Sequence, residues 1–160
     1  MTGVQTCALP ILTKHFKYDI RQNIPASKIV FDTIIHLAAL VNVGESEKTP
    51  TDYYMTNFIG TLNILNTIKC ENFVFASTGA AEYCASVYGT SKKAAEDCVK
   101  EWCSYRNLPY TIFRFYNVIG TNGFGPTNPD GLMLNLIRAI DNGTFTIHGT
   151  DYLESRSEEH

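Results

Sequence analysis

The sequence has no long hydrophobic run, no excess of positive charge and no closely spaced cysteine pair. Its apolar stretches fall far short of the roughly 20 residues that span a membrane, so we expect no membrane partner. With 13 Lys and Arg against 16 Asp and Glu, the net charge is −3, which argues against nucleic acid as a partner. Five scattered cysteines without a C-x-x-C pair argue against a disulfide framework or a metal site, and they predict a cytoplasmic protein.

Enough apolar material is present for a packed core. Hydrophobic residues make up 44% of the chain and charged residues 18%, a balance typical of folded domains and not of disordered chains. At about 150 residues for an average domain, a chain of 160 residues corresponds to one domain or to a piece of a larger protein.

The two ends differ from the rest of the sequence. Met1–Ile11 (MTGVQTCALPI) shows no helical or strand period, and it resembles a peptide translated from sequencing-library adaptor DNA. The tail Arg156–His160 (RSEEH) resembles the other peptide of that kind. We therefore expect a non-native leader at residues 1–11 and a non-native tail at residues 156–160, with ordinary frayed termini as the alternative.

Between the ends, short apolar runs alternate with segments of helical period. Strands are predicted at Phe31–Leu37, Asn72–Ala76, Tyr110–Tyr116 and Phe145–His148, with one more at His15–Ile20. Helices are predicted from Thr49 to about Lys69, from Ser86 to Arg106 and over Leu132–Asn142. This alternation indicates an α/β fold whose parallel strands are buried on both faces by helices. Ligands of such sheets bind beyond the carboxyl ends of the strands.

Capping residues and periodicity define the two longer helices. Thr49 and Asp52 form a predicted capping box around Pro50, and Asn107 with Pro109 ends the second helix. The first helix is predicted to bury a stripe of Tyr54, Phe58, Leu62, Leu65 and Ile68. The second is predicted to bury Ala94, Ala95, Cys98, Val99, Trp102 and Cys103. His36 is interpreted as a hydrogen-bonded core histidine in preference to a catalytic one.

Three residues carry the predicted chemistry. Tyr88 and Lys92 lie one helical turn apart, and Thr78, with Ser77 beside it, follows the preceding strand. A lysine ammonium favours the phenolate, so we expect Lys92 to lower the pKa of Tyr88. The three residues can together take a proton from an alcohol while hydride leaves its carbon. A lone Y-x-x-x-K is a weak signal, and its position after a strand ending in Ser-Thr strengthens it.

These and other segments resemble the NAD-dependent epimerase/dehydratase family, the extended short-chain dehydrogenases/reductases, and within it the UDP-glucose 4-epimerase-like nucleotide-sugar epimerases. The matching segments are Tyr18–Arg21, Ile35–Ala39, Val43–Ser46, Asn57 with Gly60-Thr61, Phe75–Thr78, Tyr88 with Lys92, and Arg114–Val118. The resemblance implies a Rossmann-like, doubly wound parallel sheet, incomplete here. It divides the chain into a partial NAD-binding domain at 12–118 and the start of a nucleotide-sugar-binding part at 119–155.

The resemblance also implies roles for individual residues. Thr78, Tyr88 and Lys92 would be catalytic. NAD would be held by Asp19, Ile20, Ala38, Ala39, Asn57, Ser77, Tyr88 and Lys92. The UDP-sugar substrate would be held by Thr78, Asn117, Leu132, Thr146 and His148. The complete parent would be a homodimer formed by the helix that bears Tyr88 and the helix that starts at Thr49.

Three departures from the family pattern keep other functions open. The sequence carries no G-x-x-G-x-x-G loop, only nine residues separate Thr78 from Tyr88, and the chain stops soon after Tyr152. C4 epimerisation of a UDP-hexose through a 4-keto sugar is the predicted reaction of the parent, and the chain alone is expected to be inactive. The alternatives are a reductase or dehydratase of the same family, or a non-catalytic nucleotide-binding protein. Gly79-Ala80 stand where dehydratases carry Asp-Glu, which disfavours that alternative.

Overall fold

The computed structural model describes residues 17–22, 24–26, 29–116, 118, 138–140 and 142–143. The chain divides into two units after Tyr116, two residues before the boundary predicted at 118. The predicted strand Phe145–His148 lies outside the described residues. Residues 138–140 are helical, and the Gly143 N–H donates to the Ala139 carbonyl at 2.8 Å, so the described part of the helix predicted at Leu132–Asn142 is confirmed.

The first unit is built around three parallel strands in the order β1-β2-β3. Its elements are β1 (Val30–His36), α1 (Val43–Ser46), α2 (Pro50–Tyr53), a π-helical segment (Tyr54–Ile59), α3 (Gly60–Thr67), β2 (Lys69–Thr78), α4 (Ala80–Tyr83), α5 (Val87–Tyr105) and β3 (Tyr110–Phe115). The three central predicted strands and the parallel sheet are confirmed. None of the helices among the described residues is long and apolar enough to cross a membrane.

One predicted strand is wrong over its described part. Residues 17–19, which belong to the predicted strand His15–Ile20, pair with no strand, and a turn follows in which the Gln22 N–H donates to the Asp19 carbonyl at 3.0 Å. The Asp19 carboxylate accepts hydrogen bonds from the Arg21 backbone and guanidinium. The bond from the Arg21 N–H to the Asp19 side chain is an Asx turn, which bends the backbone and so favours a turn over an extended strand.

The core lies between one face of the sheet and the helices α3 and α5. Its buried side chains are Ile24, Ile64, Leu65, Phe73, Phe75, Ala95, Val99 and Cys103. Alternation along β2 turns Phe73 and Phe75 toward the helices. Ile34 and Ile112 on the neighbouring strands are half-buried against the same cluster.

The expectation that the strands are buried on both faces is wrong for the described part of the chain. Ile35 and Phe113 are 64% and 50% exposed, and they line a shallow apolar groove of about 220 Å³ with Val74 and Ala76. The cause is topological. Two successive right-handed crossovers in one direction place both helices on the same face, and helices reach the opposite face only where the strand order reverses.

The helix that begins at Pro50 differs in detail from the prediction. Thr49 is its N-cap but makes no capping hydrogen bond with its side chain, so the predicted capping box is wrong. The buried residues are Tyr53, Asn57, Gly60, Thr61, Ile64 and Leu65. Of the predicted stripe, Leu65 is therefore buried, Phe58, Leu62 and Ile68 are half-buried, and Tyr54 is exposed. Polar partners explain the shift, because Tyr53 bonds to the Asn42 carbonyl, Asn57 to the Leu40 backbone and Thr61 to His36, and these bonds turn the three residues inward.

The long helix α5 agrees with the prediction at both ends. Ser86 is the N-cap and its hydroxyl accepts the Gly89 N–H at 3.0 Å. Asn107 follows the helix with a φ of 53°, the left-handed conformation that asparagine tolerates at helix ends. Of the predicted buried stripe, Ala95, Val99 and Cys103 are fully buried, whereas Ala94, Cys98 and Trp102 are half-buried.

Cys84 ends α4 with a φ of 50°, a conformation that is strained for residues with a Cβ. Cys84→Gly is expected to raise the free energy of unfolding by about 1 kcal/mol, because relief of this strain exceeds the added entropy of the unfolded glycine. Urea denaturation measures the effect, with Cys84→Ser as the matched control that keeps the Cβ. A glycine variant no more stable than the serine variant contradicts the account.

Candidate active site

The candidate site lies beyond the carboxyl ends of the strands. Register pairs Thr78, the last residue of β2, with Phe115, the last residue of β3. The chain leaves β1 at His36 and passes through Ala38 and Ala39, both half-buried. Because the strands are parallel, these ends meet at one edge, where α5 begins.

Tyr88 and Thr78 are brought together at this edge. A hydrogen bond from the Thr78 side chain to Tyr88 lowers the pKa of the phenol, but burial raises it by more, so the pKa of Tyr88 lies above its usual value of 10. The Tyr53 ring meets the Tyr88 ring edge-on, with centroids 6.4 Å apart. Tyr88 is therefore a neutral phenol in this structure, placed to exchange a proton through its contact with Thr78.

Lys92 is buried one turn further along α5, with only 3% of its surface exposed. Its Nζ donates to the Ala76 carbonyl at 2.7 Å and stands 4.2 Å from the centre of the Phe75 ring. Burial lowers the pKa of Lys92 to about 8, although the Glu96 carboxylate acts in the opposite direction. An ammonium has three hydrogens, so two remain for a ligand beyond the one that Ala76 accepts.

The expectation that Lys92 lowers the pKa of Tyr88 is wrong in this structure. The ammonium donates to the strand carbonyl of Ala76, burial raises the pKa of Tyr88, and the contact that lowers it is the hydrogen bond with Thr78. The i, i+4 spacing places both residues on one helix face, but it does not fix where a flexible lysine side chain directs its charge.

Ser77 differs from its predicted position in the crevice. It is 4% exposed, and its hydroxyl donates to the Glu96 carboxylate at 3.0 Å, beneath α5. Alternation along β2 turns neighbouring residues to opposite sides, so Ser77 and Thr78 cannot both face the same cleft. The structure thus gives Ser77 a place in the support of the site, and its contact with a cofactor stays a prediction.

Glu96 is the functional neighbour that the sequence reasoning missed. Its carboxylate is 1% exposed and accepts hydrogen bonds from Arg114 at 2.8 and 3.0 Å and from Lys100 at 2.6 Å, besides the one from Ser77. The Arg114 hydrogen bonds are the main reason that the pKa of Glu96 is lowered to about 2, against burial. Its position four residues after Lys92, on the same buried side of α5, could have identified it from the sequence.

Asn57 holds the loop that follows β1. Its Oδ1 accepts the Leu40 N–H at 2.8 Å, and its Nδ2 donates to the Leu40 carbonyl and the Ser91 hydroxyl, both at 3.0 Å. Both amide hydrogens are therefore used, and a ligand could reach only a remaining lone pair on Oδ1. This geometry makes Asn57 a support for the loop beside Ala38 and Ala39, and direct contact with a cofactor stays a prediction.

His36 agrees with the core interpretation. Its Nε2 lies 2.9 Å from the Thr61 hydroxyl, which donates its own proton to the Asn57 carbonyl at 2.6 Å. Nε2 must therefore carry the hydrogen that Thr61 accepts. Burial, with a smaller contribution from the Lys92 charge, lowers the pKa of His36 to about 3, so the ring is neutral.

The remaining predicted site residues fall into two groups. At Asp19, both carboxylate oxygens are bonded to Arg21, and the Ile20 side chain packs on α3 so closely that a Cβ added at Gly60 would lie 2.7 Å from it. The predicted roles of these two residues at a cofactor are untested. The predicted substrate residues Asn117, Leu132, Thr146 and His148 lie outside the described residues.

Gly89 follows Tyr88 because of a close approach between helices. A Cβ at this position would lie 2.4 Å from the Ala80 carbonyl oxygen at the start of α4. Any side chain would therefore push α5 away from α4, and Tyr88 with it.

Parallel strands joined by helices, with Thr78, Tyr88 and Lys92 at their carboxyl edge, define a Rossmann-like protein of the short-chain dehydrogenase/reductase type. Residues 17–156 match the NAD dependent epimerase/dehydratase family, and the chain belongs to this family. The predicted family and fold class are confirmed, and the predicted cofactor is confirmed as that of the family.

Curated relatives are named as epimerases. The UDP-glucose 4-epimerase of Haemophilus influenzae is 30% identical over 148 residues, which cover 76% of this chain and 44% of that protein. The human UDP-glucose 4-epimerase is 28% identical over 152 residues, 78% of this chain and 44% of that protein. The chain thus spans less than half the length of the curated relatives it matches.

Solved structures are also similar to this chain. The UDP-Glc/GlcNAc 4-epimerase of Campylobacter jejuni superposes with a TM-score of 0.56 at 27% identity, over 76% of this chain and 45% of that one. RMD of Pseudomonas aeruginosa, solved with NADPH, superposes with a TM-score of 0.65 over 82% of this chain and 53% of that one. Its identity of 22% shows a shared fold alone.

Glu96→Gln is expected to destabilise the chain by about 2–3 kcal/mol at pH 7, because Arg114 loses its buried partner while keeping some access to water. The carboxylate pKa is about 2 in the folded chain against 4.5 for an ordinary glutamate. Its stabilisation is therefore present above pH 4.5 and is lost as the pH falls toward 2.

Urea denaturation of both chains between pH 7 and pH 2.5 measures this difference. The gap between wild type and Glu96→Gln should shrink as the pH falls, whereas Glu101→Gln, an exposed position on the same helix, should show no such gap. A gap that stays constant with pH contradicts the role assigned to the Glu96 charge.

Proposed function

We propose that this chain is the part of an NAD-dependent nucleotide-sugar 4-epimerase that carries its catalytic residues. The observation that carries the proposal is the contact of Thr78 with Tyr88 beside the buried ammonium of Lys92. Relatives named UDP-glucose 4-epimerase support a UDP-hexose as the substrate.

Thr78, Tyr88 and Lys92 each have a different role at the reacting oxygen. In its phenolate form, after loss of its own proton, Tyr88 takes the proton of the sugar 4-hydroxyl and later returns it, which is general base and then general acid catalysis. Thr78 hydrogen-bonds the same oxygen and the phenol, so that the proton moves along a short path. Lys92 keeps two N–H donors for ligand hydroxyls.

The residues present fit a dinucleotide cofactor at this edge. Ala38 and Ala39 are small residues beside the strand ends, and the spare hydrogens of Lys92 match the hydroxyls of a ribose. Bound NAD would accept hydride from the sugar carbon and return it to the opposite face of the 4-keto sugar. The glycine-rich phosphate loop of the family is not found in these 160 residues.

Epimerisation is favoured over dehydration by the residues after Thr78. Water elimination needs a separate acid and base, and the positions that follow are Gly79 and Ala80. The nearest acid, Glu82, is exposed and accepts a hydrogen bond from the Tyr116 hydroxyl at 2.8 Å. This commitment to Tyr116 leaves Glu82 a poor second catalytic acid.

The remaining features of the parent enzyme rest on the resemblance. We propose that Asn117, Leu132, Thr146 and His148 hold the nucleotide sugar. The helix that begins at Pro50 and α5 would form a homodimer interface. The free thiols of Cys70, Cys84, Cys98 and Cys103 suit a reducing cytoplasm.

Turnover by a chain completed to the length of its relatives tests the function. The complete protein should interconvert two UDP-hexoses without net consumption of NADH, and Tyr88→Phe should lower kcat by about 10²–10⁴-fold because the proton acceptor is lost. Tyr83→Phe is the matched control, since Tyr83 is 77% exposed, and it should keep the wild-type rate.

Three outcomes argue against the proposal. Full activity of Tyr88→Phe removes the assigned base. Stoichiometric oxidation of NADPH by a UDP-sugar identifies a reductase. Binding of UDP-sugars without any turnover identifies a non-catalytic nucleotide-binding protein.

A further inference from the structure

The first turn of α5, which carries Tyr88, is held by residues from another part of the chain. The hydroxyl oxygen of Ser46 accepts the Tyr88 N–H at 3.1 Å, and the carboxylate of Glu47 accepts the Val87 N–H at 2.9 Å. Helix N-termini leave such amides without partners inside the helix. Ser86 caps only the Gly89 N–H, so the two preceding amides depend on Ser46 and Glu47.

Ser46 is built into its place and cannot easily turn away. It is fully buried, and its hydroxyl proton goes to the Val43 carbonyl at 2.6 Å, which leaves its oxygen lone pairs for the Tyr88 N–H. Asn42 caps the short helix α1 by accepting the Glu45 N–H at 2.7 Å. We call the segment Asn42–Glu47 the clamp.

The clamp also reaches the Tyr88 side chain. The Tyr53 hydroxyl donates to the Asn42 carbonyl at 2.6 Å, and the Tyr53 ring meets the Tyr88 ring at 81°. The clamp therefore contacts Tyr88 directly through the backbone amide, and indirectly through Tyr53, which is bonded to Asn42. Together these two contacts restrict the helical turn and the direction of the phenol.

We propose that Ser46 and Glu47 are positioning residues for Tyr88. The meaning of this role for catalysis rests on the proposed function, whereas the contacts themselves do not. The clamp directly follows the loop at Leu40, which Asn57 binds through two hydrogen bonds. The loop predicted to contact the cofactor and the clamp that contacts Tyr88 are therefore parts of one continuous segment. Displacement of that loop is thereby transmitted to Tyr88.

The consequence of losing the clamp is local. Ser46→Ala removes the acceptor of the Tyr88 N–H, and a buried amide without a partner favours fraying of the first helical turn. A small displacement of a catalytic group is costly, since 1 Å of misplacement can lower a rate by about 10²-fold. The rest of α5 is held by Glu96 and the apolar core, so it should keep its fold.

Amide hydrogen exchange and tyrosine titration of this 160-residue chain test the proposal. Ser46→Ala should speed exchange of the Tyr88 amide about fivefold or more, and Glu47→Ala should do the same for Val87. Both variants should also move the Tyr88 phenol titration, followed by the ring ¹³Cζ signal, from its raised position toward 10. Ser104→Ala, an exposed serine near the other end of α5, is the matched control and should change neither signal.

Every outcome decides the proposal. Unchanged exchange and an unchanged phenol titration in Ser46→Ala overturn it. If Ser46→Ala does not fold, Glu47→Ala decides alone, because Glu47 is exposed and its replacement leaves the core intact. Faster exchange with an unmoved Tyr88 titration shows a purely structural cap and also overturns the proposal.

Kinetics in the completed protein separate the two proposals. There Ser46→Ala should lower kcat about tenfold and leave KM within about twofold, since the variant displaces the base and not the substrate. An inactive wild-type protein refutes the proposed function, while the exchange and titration results still decide whether the clamp positions Tyr88. An active wild type whose kcat is unchanged by Ser46→Ala overturns the clamp alone.

Discussion

The burial of one ammonium group, that of Lys92, is the constraint on which the rest of this site depends. Taking a charge out of water is expensive unless partners replace the lost solvent. Here the partners are the Ala76 carbonyl, the face of the Phe75 ring and, one turn further, the Glu96 carboxylate. A core made only of apolar side chains would be simpler to stabilise, so the retained charge points to use in chemistry.

Glu96 lies one turn after Lys92 on α5, and its charge opposes the effect of burial on the pKa of Lys92. Glu96 is itself buried, and it is kept ionised by Arg114 on β3, by Lys100 and by the Ser77 hydroxyl on β2. This network fastens the middle of α5 to two strands, while Ser46 and Glu47 fasten its first turn. One helix thus carries Tyr88, Lys92 and Glu96 at successive turns, and each turn has an external anchor.

The sequence was sufficient for the parts of the fold that local patterns encode. Ser86 as a cap, Asn107 as a left-handed end and the three central strands follow from residue types within a few positions of each other. The family could be inferred from ordered motifs, and the Tyr88–Lys92 spacing placed both residues on one face of α5.

Local sequence patterns do not predict features that depend on residues far apart in the chain. Asn57, in the π-helical segment, and Thr61, in α3, are buried in place of Tyr54, because their polar side chains find partners at Leu40 and His36 only in the folded chain. The Lys92 ammonium donates to the Ala76 carbonyl for the same reason, because that partner lies close to it only in the folded chain. The hydrogen bond from the Tyr88 N–H to the Ser46 hydroxyl oxygen joins residues 42 positions apart, and no local pattern marks it.

The central claim is that Lys92 is a buried ammonium at the edge of the sheet beside Tyr88. Titration of the lysine side chains by NMR, with Lys92→Arg to assign the signal, tests it most directly. The account predicts a pKa of about 8 for Lys92 and a pKa above 10.5 for its half-buried neighbour Lys93, which pairs with Asp97. Titration of Lys92 together with Lys93, above 10, would contradict the account.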